Sequence, residues 1–312
     1  MINFKAWLRE FRVRFLLFVS LPVLLGSAIA YVYYPELFSV PYLFLSVVAM
    51  LLLHAGTVII NDYFDFMSGA DVLNKVRTPY SGGSGLLPEK VLKPSRVLLA
   101  GCICYALCIL LGIFIVMFRS PTVLLIGAVG VGMGIAYTAP PFKLSYRGLG
   151  EIARLMATPL IVLGAFLVQV PVSTITGFFG IVNVFSVCII ASLPIAFFNT
   201  AALYIFEFPD YEADLQAGKM NLVVMMGTKS AAYMYVLMQI AAYISLIIAI
   251  VVDVIPWPAS LVLLLVPASA YASLGLLKHN AEALRLLPYL KAASSIYIFA
   301  STILVLTFAM NL

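Results

Sequence analysis

The 312-residue chain is 64% hydrophobic and 10% charged, with a formal net charge of +5 and a mean hydropathy of +1.11. A soluble domain of this length would need far more charge on its surface, so residues 1–312 read as one polytopic membrane domain in contact with membrane lipid. The basic excess is a collar around membrane spans, and nucleic acid is not an expected partner.

Apolar stretches of spanning length run over 11–33, 41–61, 95–118, 121–139, 152–171, 177–206, 230–252, 257–277 and 290–311. They predict an all-α fold of nine transmembrane helices. The first follows Arg9, Arg12 and Arg14 and resembles a secretory signal, but it lacks a small-residue cleavage site and is expected to stay as a span.

The second stretch carries His54, Thr57, Asn61 and Asp65 at helical spacing and ends in Asn61-Asp62-Tyr63-Phe64-Asp65, with Asp71 shortly after. Asp62 and Asp65 lie three apart, so both project from one side of a helix. A polar stripe inside an apolar helix must face the bundle or water. His54 by itself is expected to be a satisfied core histidine. The long segment 62–94 then holds Arg77 and the run Ser81-Gly82-Gly83-Ser84-Gly85, which lacks the Gly-Lys-Ser/Thr ending of a P-loop but has the backbone freedom to close over phosphate.

Cys102, Cys104, Cys108 and Cys188 fall inside spans without metal-ligand spacing and are expected as packing residues. The connection 140–148 contributes Lys143. The sixth stretch ends in a second acidic group, Glu207, Asp210, Glu212 and Asp214, followed by Gly218-Lys219. Asp210 and Asp214 are four apart and share a helix side, while Glu212 points away toward water. Residues 207–229 are expected as the second long loop.

With the N-terminus inside, 17 of the 18 Lys and Arg residues fall on the cytoplasmic side and only Arg119 falls outside. Both acidic groups then share the cytoplasmic face. They end the second and sixth helices, an offset of four that suggests two similar four-helix halves around one central cavity. Carboxylates converging there would repel one another without a cation. Hard oxygen ligands point to Mg²⁺ and, through it, to a phosphorylated substrate, with Arg12, Arg77, Lys143 and Lys219 as basic residues within reach of a diphosphate.

At these residues the chain resembles the UbiA-type intramembrane prenyltransferase superfamily. The first group matches its Asn-Asp-x-x-Asp motif and the second its Asp-x-x-x-Asp motif. The likeness extends to Arg12 with Pro22-Val23-Leu24-Leu25-Gly26, to Tyr137-Thr138-Ala139-Pro140-Pro141-Phe142-Lys143, and to Gly218-Lys219 with Asn221-Leu222-Val223-Val224. Asp71, the Ser81–Ser84 loop and the second motif are most similar to the 1,4-dihydroxy-2-naphthoate prenyltransferase branch of menaquinone synthesis. Three positions depart from the usual pattern: Phe206 stands where Asn is common, and Met220 and Met226 where Arg is common.

The resemblance implies a nine-helix bundle that holds an isoprenyl diphosphate, with a cytoplasmic cap from the loops after helices 2 and 6. It implies Mg²⁺-dependent transfer of the prenyl group to an aromatic acceptor. Asp62, Asp65, Asp71, Asp210 and Asp214 would bind metal; Asn61, Arg12, Arg77, Tyr137, Lys143 and Lys219 would bind substrate. Tyr63, Tyr80, Tyr137 and Tyr211 offer ring faces to an allyl cation. The implied location is a prokaryotic inner membrane with N-terminus and site cytoplasmic. Other activities of the superfamily, with 4-hydroxybenzoate, haem or glycerol-phosphate lipids as acceptors, stay open. From the residues alone, so do a transporter with a divalent-cation site and a non-catalytic lipid-binding scaffold.

Overall fold

The computed structural model describes residues 4–310. Among the described residues, nine helices are long and apolar enough to cross a membrane, and the protein is an integral membrane protein. The spanning helices are α1 (Leu16–Tyr33), α2 (Val40–Ser68), α3 (Pro94–Phe118), α4 (Pro121–Thr138), α5 (Gly150–Gln169), α6 (Gly177–Tyr204) and α7 (Leu222–Val251). Two more begin as 3₁₀ turns: α8 (Trp257–Leu265 leading into Val266–His279) and α9 (Ala283–Leu286 leading into Leu287–Ala309). Leu99, Ile103, Leu110 and Phe114 of α3 remain exposed along one side, as lipid contact requires.

Helix starts and stops follow local chemistry. Prolines occupy the first turn of α2, α3 and α4, where a missing N–H costs nothing. Pro22, Pro159 and Pro194 sit inside helices, which bundle neighbours make tolerable in a membrane. Three expected boundaries are corrected. The second helix continues through both aspartates of its motif to Ser68 and stops only at Gly69, whose φ of 89° is the left-handed cap. Arg12 lies outside the first span, in a left-handed turn between the short helix Phe4–Glu10 and α1. Most of the expected 207–229 loop is helical: Ile205–Asp210 is 3₁₀, Tyr211–Gln216 is α-helix, and α7 already begins at Leu222.

The helices alternate in direction, so α2 and α6 end on the same side, here the motif face. The core joins α1 with α5 through α9, and α1 packs most closely on α5 and α9. The other side of the bundle is α2 packed on α3, with α4 bridging to α5. Between these two sides a cavity of about 830 Å³ runs from the motif face into the bundle. Its α4 wall is thin because Gly127, Gly130, Gly132 and Gly134 line it. On the opposite face Arg119 ties the ends together, donating to the carbonyls of Leu37, Val168 and Gln169.

Over the motif face, residues 74–93 fold against the Phe4–Glu10 helix. Ala6, Leu86, Leu87 and Leu92 form a small second core with Ile59 of α2 and Val97 of α3. Cys104, Cys108 and Cys188 are buried and free, while Cys102 is exposed.

Candidate active site

Both motifs reach the mouth of the cavity, and the chain satisfies each carboxylate differently. Asn61 donates to Asp65 Oδ2 at 2.7 Å, one turn along α2, and Lys219 Nζ donates to the same oxygen at 2.9 Å. Asp65 Oδ1 accepts from the Tyr146 hydroxyl at 2.7 Å. Lys219 stands 3.7 Å from Asp214 Oδ1, so one ammonium bridges the two motifs. Asn221, the N-cap of α7, donates to Asp214 Oδ2 at 2.9 Å while its own oxygen accepts from the Val224 N–H.

Asp210 accepts from Asn74 Nδ2 at 2.7 Å and from the Gly82 N–H at 2.9 Å. Asp62 accepts from Arg12 and, at 2.8 Å, from the Ser84 N–H. The glycine-rich run is therefore pinned to one aspartate of each motif. Gly82, Gly83 and Gly85 all have positive φ, and a Cβ on Gly83 would stand 2.7 Å from Asp71 Oδ2. Conformation and space both demand glycine there.

Asn61, Asp65, Asp71, Asp210, Asp214, Arg12, Tyr137 and Lys219 line the cavity. Asp62 does not: it is 1% exposed and holds Arg12 and the loop from behind. Arg77 turns into the cap, donating to the carbonyls of Asp71 and Gly82. Lys143 lies over the Tyr146 ring at 5.1 Å. Neither Arg77 nor Lys143 lines the cavity. Tyr80 and Tyr137 line it, whereas Tyr63 and Tyr211 do not. Glu212 is exposed. His54 departs from expectation: it faces the cavity, and its Nε2 is buried without a partner.

Asn74, Tyr146 and the cap backbone escaped sequence reasoning as ligand-holding groups. Asn74 carries a faint signal as a polar residue soon after Asp71; Tyr146 is one of 17 tyrosines and has none. Phe206 packs on Tyr80 at 5.0 Å and on Phe15 at 6.2 Å, forming an aromatic wall at the position where the family resemblance led to an expectation of Asn.

Charge at the mouth is mutually arranged. Burial works against a charged Lys219, but Asp214 and Asp65 outweigh it and hold the ammonium well above its usual range. Burial, then Asp62 and Asp65, raise Asp71 well above the carboxylate range. Burial and Asp65 likewise raise Tyr146, keeping its hydroxyl a donor.

Among the described residues no three acidic or histidine groups form a ready metal cage. Mg²⁺ does not require one, because it binds through one or two carboxylates while substrate phosphates and water complete its shell. The all-oxygen donors of Asp65, Asp71, Asp210 and Asp214 around one cavity mouth fit that mode.

The pattern shared by the UbiA prenyltransferase family matches residues 19–308. The chain belongs to this family. Among curated relatives, the 1,4-dihydroxy-2-naphthoate octaprenyltransferase of Bacillus subtilis is 30% identical over 72% of the chain and 66% of that protein. The 2-carboxy-1,4-naphthoquinone phytyltransferase of Synechocystis is 27% identical over 84% of the chain and 80% of that protein. A UbiA homolog from Archaeoglobus fulgidus, solved with GPP and Mg²⁺, shares the fold with a TM-score of 0.58 at 14% identity, covering 96% of this chain and 99% of that one.

Proposed function

We propose that this family member transfers a polyprenyl group from an isoprenyl diphosphate to an aromatic acceptor within the membrane, in an Mg²⁺-dependent reaction. The acceptor proposed is a quinone precursor such as 1,4-dihydroxy-2-naphthoate, in keeping with the names of the Bacillus and Synechocystis relatives. The observation that carries the reading is the shape of one cavity: carboxylates, Lys219 and Arg12 at its mouth, and a glycine-thinned apolar interior below. A ligand with an anionic head and a long apolar tail has that same polarity. The motif face is proposed to be the cytoplasmic face of a prokaryotic inner membrane, because that places the basic residues inside.

Bound beside the diphosphate by Asp65, Asp71, Asp210 and Asp214, Mg²⁺ would neutralise charge on the leaving group. Lys219 and Arg12 add fixed positive charge at the same mouth and stabilise the diphosphate as the allylic C–O bond breaks. Asp62, behind them, keeps Arg12 aimed and the cap loop seated. The cap excludes water from the allyl cation, and the Tyr80 and Tyr137 rings at the cavity wall offer it π-faces.

The test is turnover of purified protein with Mg²⁺, geranylgeranyl diphosphate and a panel of dihydroxynaphthoate, 4-hydroxybenzoate, homogentisate, haem and glycerol-phosphate lipids, read by mass spectrometry. Prenylated naphthoate is the expected product. Asp210→Ala, folded in the membrane, is expected to lose it; full Mg²⁺-dependent turnover by that variant would falsify the assignment. Ion flux in proteoliposomes without any prenyl donor would favour a transporter instead.

A further inference from the structure

Further from the motif face than the aspartates, the same cavity holds a second polar group. Arg154 of α5 donates through Nη2 to Glu151 at 3.3 Å and to Glu207, and its guanidinium lies 5.7 Å from the Tyr137 ring centre. One turn along α5, Thr158 accepts from Asn199 of α6 at 3.3 Å. Arg154, Thr158, Asn199 and Glu207 all face the cavity.

This group is incomplete in charge and in hydrogen bonding. Two carboxylates share one guanidinium and lie against each other. Glu207 Oε2, Glu151 Oε2 and Arg154 Nε are buried without a hydrogen bond from the rest of the protein, the two glutamates facing only each other. Glu151 is 2% exposed and closed off, so Glu207 is the carboxylate a cavity ligand meets. Ionisable groups inside spans are costly unless something completes them. Carboxylate oxygens lacking donors call for an O–H, and an additional anion would be repelled. The adjoining walls are flat or apolar: Phe206, Tyr137 and Leu203. A ligand suited to both is an aromatic ring bearing a hydroxyl.

We propose that Glu207, seated by Arg154 and Glu151, is the acceptor subsite: it accepts a hydrogen bond from a ring hydroxyl of the aromatic acceptor, whose ring lies against Phe206 and Tyr137. The assignment rests on the prenyl-transfer reading above. It places the acceptor one turn of the Ile205–Asp210 3₁₀ helix from Asp210, on the bundle side of the diphosphate. Any carboxylate on the acceptor points away from Glu207, because a third anion beside two glutamates has no counter-charge. Arg154 and Glu151 are positioning residues.

The full-length protein in nanodiscs, with Mg²⁺, geranylgeranyl diphosphate and 1,4-dihydroxy-2-naphthoate, supplies the test. Glu207→Gln is expected to raise the acceptor KM by up to about tenfold, because a neutral amide oxygen accepts the ring hydroxyl more weakly than a carboxylate does, while the diphosphate KM holds. Inhibition by 1,4-dimethoxy-2-naphthoate gives a second readout: wild type binds the dihydroxy compound more tightly than its ether, and the variant distinguishes them less. Glu207→Asp keeps a charge for Arg154 and is expected to raise the acceptor KM at an unchanged melting temperature. An unchanged acceptor KM in both variants would mean that the two glutamates share a proton and take no ligand. Equal weakening of donor and acceptor with a lowered melting temperature would mean a structural ion pair only. Either result overturns the subsite while leaving prenyl transfer standing. Failure of the wild type on every aromatic acceptor overturns the parent reading and this one with it.

Discussion

Lys219 is the residue on which the two motifs meet. It arrives from the turn between α6 and α7, touches Asp65 of α2 and stands near Asp214, and those carboxylates keep it charged despite burial. Lys219→Met leaves both without their cation, so we expect prenyl transfer to fall and the melting temperature to drop, the loss in stability being about 3 kcal/mol in thermal unfolding in detergent. Glu10, behind Asp62, gives a pH test. Burial first, then Asp62, push its carboxyl from 4.5 to about 7. A raised carboxyl pKa means the folded state prefers the protonated form, so stability declines as pH rises from 4.5 through about 7. Glu10→Gln should therefore melt higher than wild type at pH 8 and nearly together with it at pH 5. A gain confined to low pH would contradict the assignment. At this scale the motif aspartates were legible because carboxylates at the end of an apolar run stand out. Their partners were not: Tyr146 carries no mark in the sequence, Asn74 only a faint one, and the glycine-rich run showed backbone freedom without showing that the Gly82 and Ser84 amides would face the aspartates.

Helices α1 and α5 set the spacing of the bundle through Gly26. A Cβ there would stand 2.1 Å from the Val162 carbonyl oxygen, on a backbone that cannot turn aside. Gly26→Ala should separate the two helices and cost about 2 kcal/mol, measured as a lower melting temperature, with the cavity widened and turnover reduced. Gly227 is the second constrained position: α7 is kinked there at φ 73° and ψ 150°, a conformation only glycine adopts readily. Gly227→Ala is expected to destabilise by about 1–3 kcal/mol even though open space surrounds it, since the strain lies in the backbone. Helix number was legible in the sequence, because an apolar run of spanning length has few alternatives. Helix ends were less so. Hydropathy marks where lipid stops, whereas α2 runs past that point through its polar motif until Gly69 ends it. The stretch after Tyr204 likewise stays helical although its residues turn acidic, with Pro209 at a tightened 3₁₀ turn.

For the whole molecule, the nine alternating spans among the described residues place both motifs on one face and Arg119 on the other. On the orientation proposed above, a cysteine introduced at Lys90 in a cysteine-free background should react with impermeant reagent only from the cytoplasmic side, and one at Ser173 only from the outside. Labelling of both from one side would break the topology. The sequence by itself determined the environment, the number of spans, the shared face of the two motifs and the family, because burying charge in lipid is so unfavourable that charge placement dictates topology. Only the tertiary structure decided which motif residues look into the cavity, that Asp62, Arg77 and Lys143 stand outside its wall, and that Arg154 and Glu207 from different helices form a second polar group within it. Those are contacts between residues distant along the chain. They depend on how helices rotate about their axes when packed, which a spacing of three or four residues on one helix does not determine.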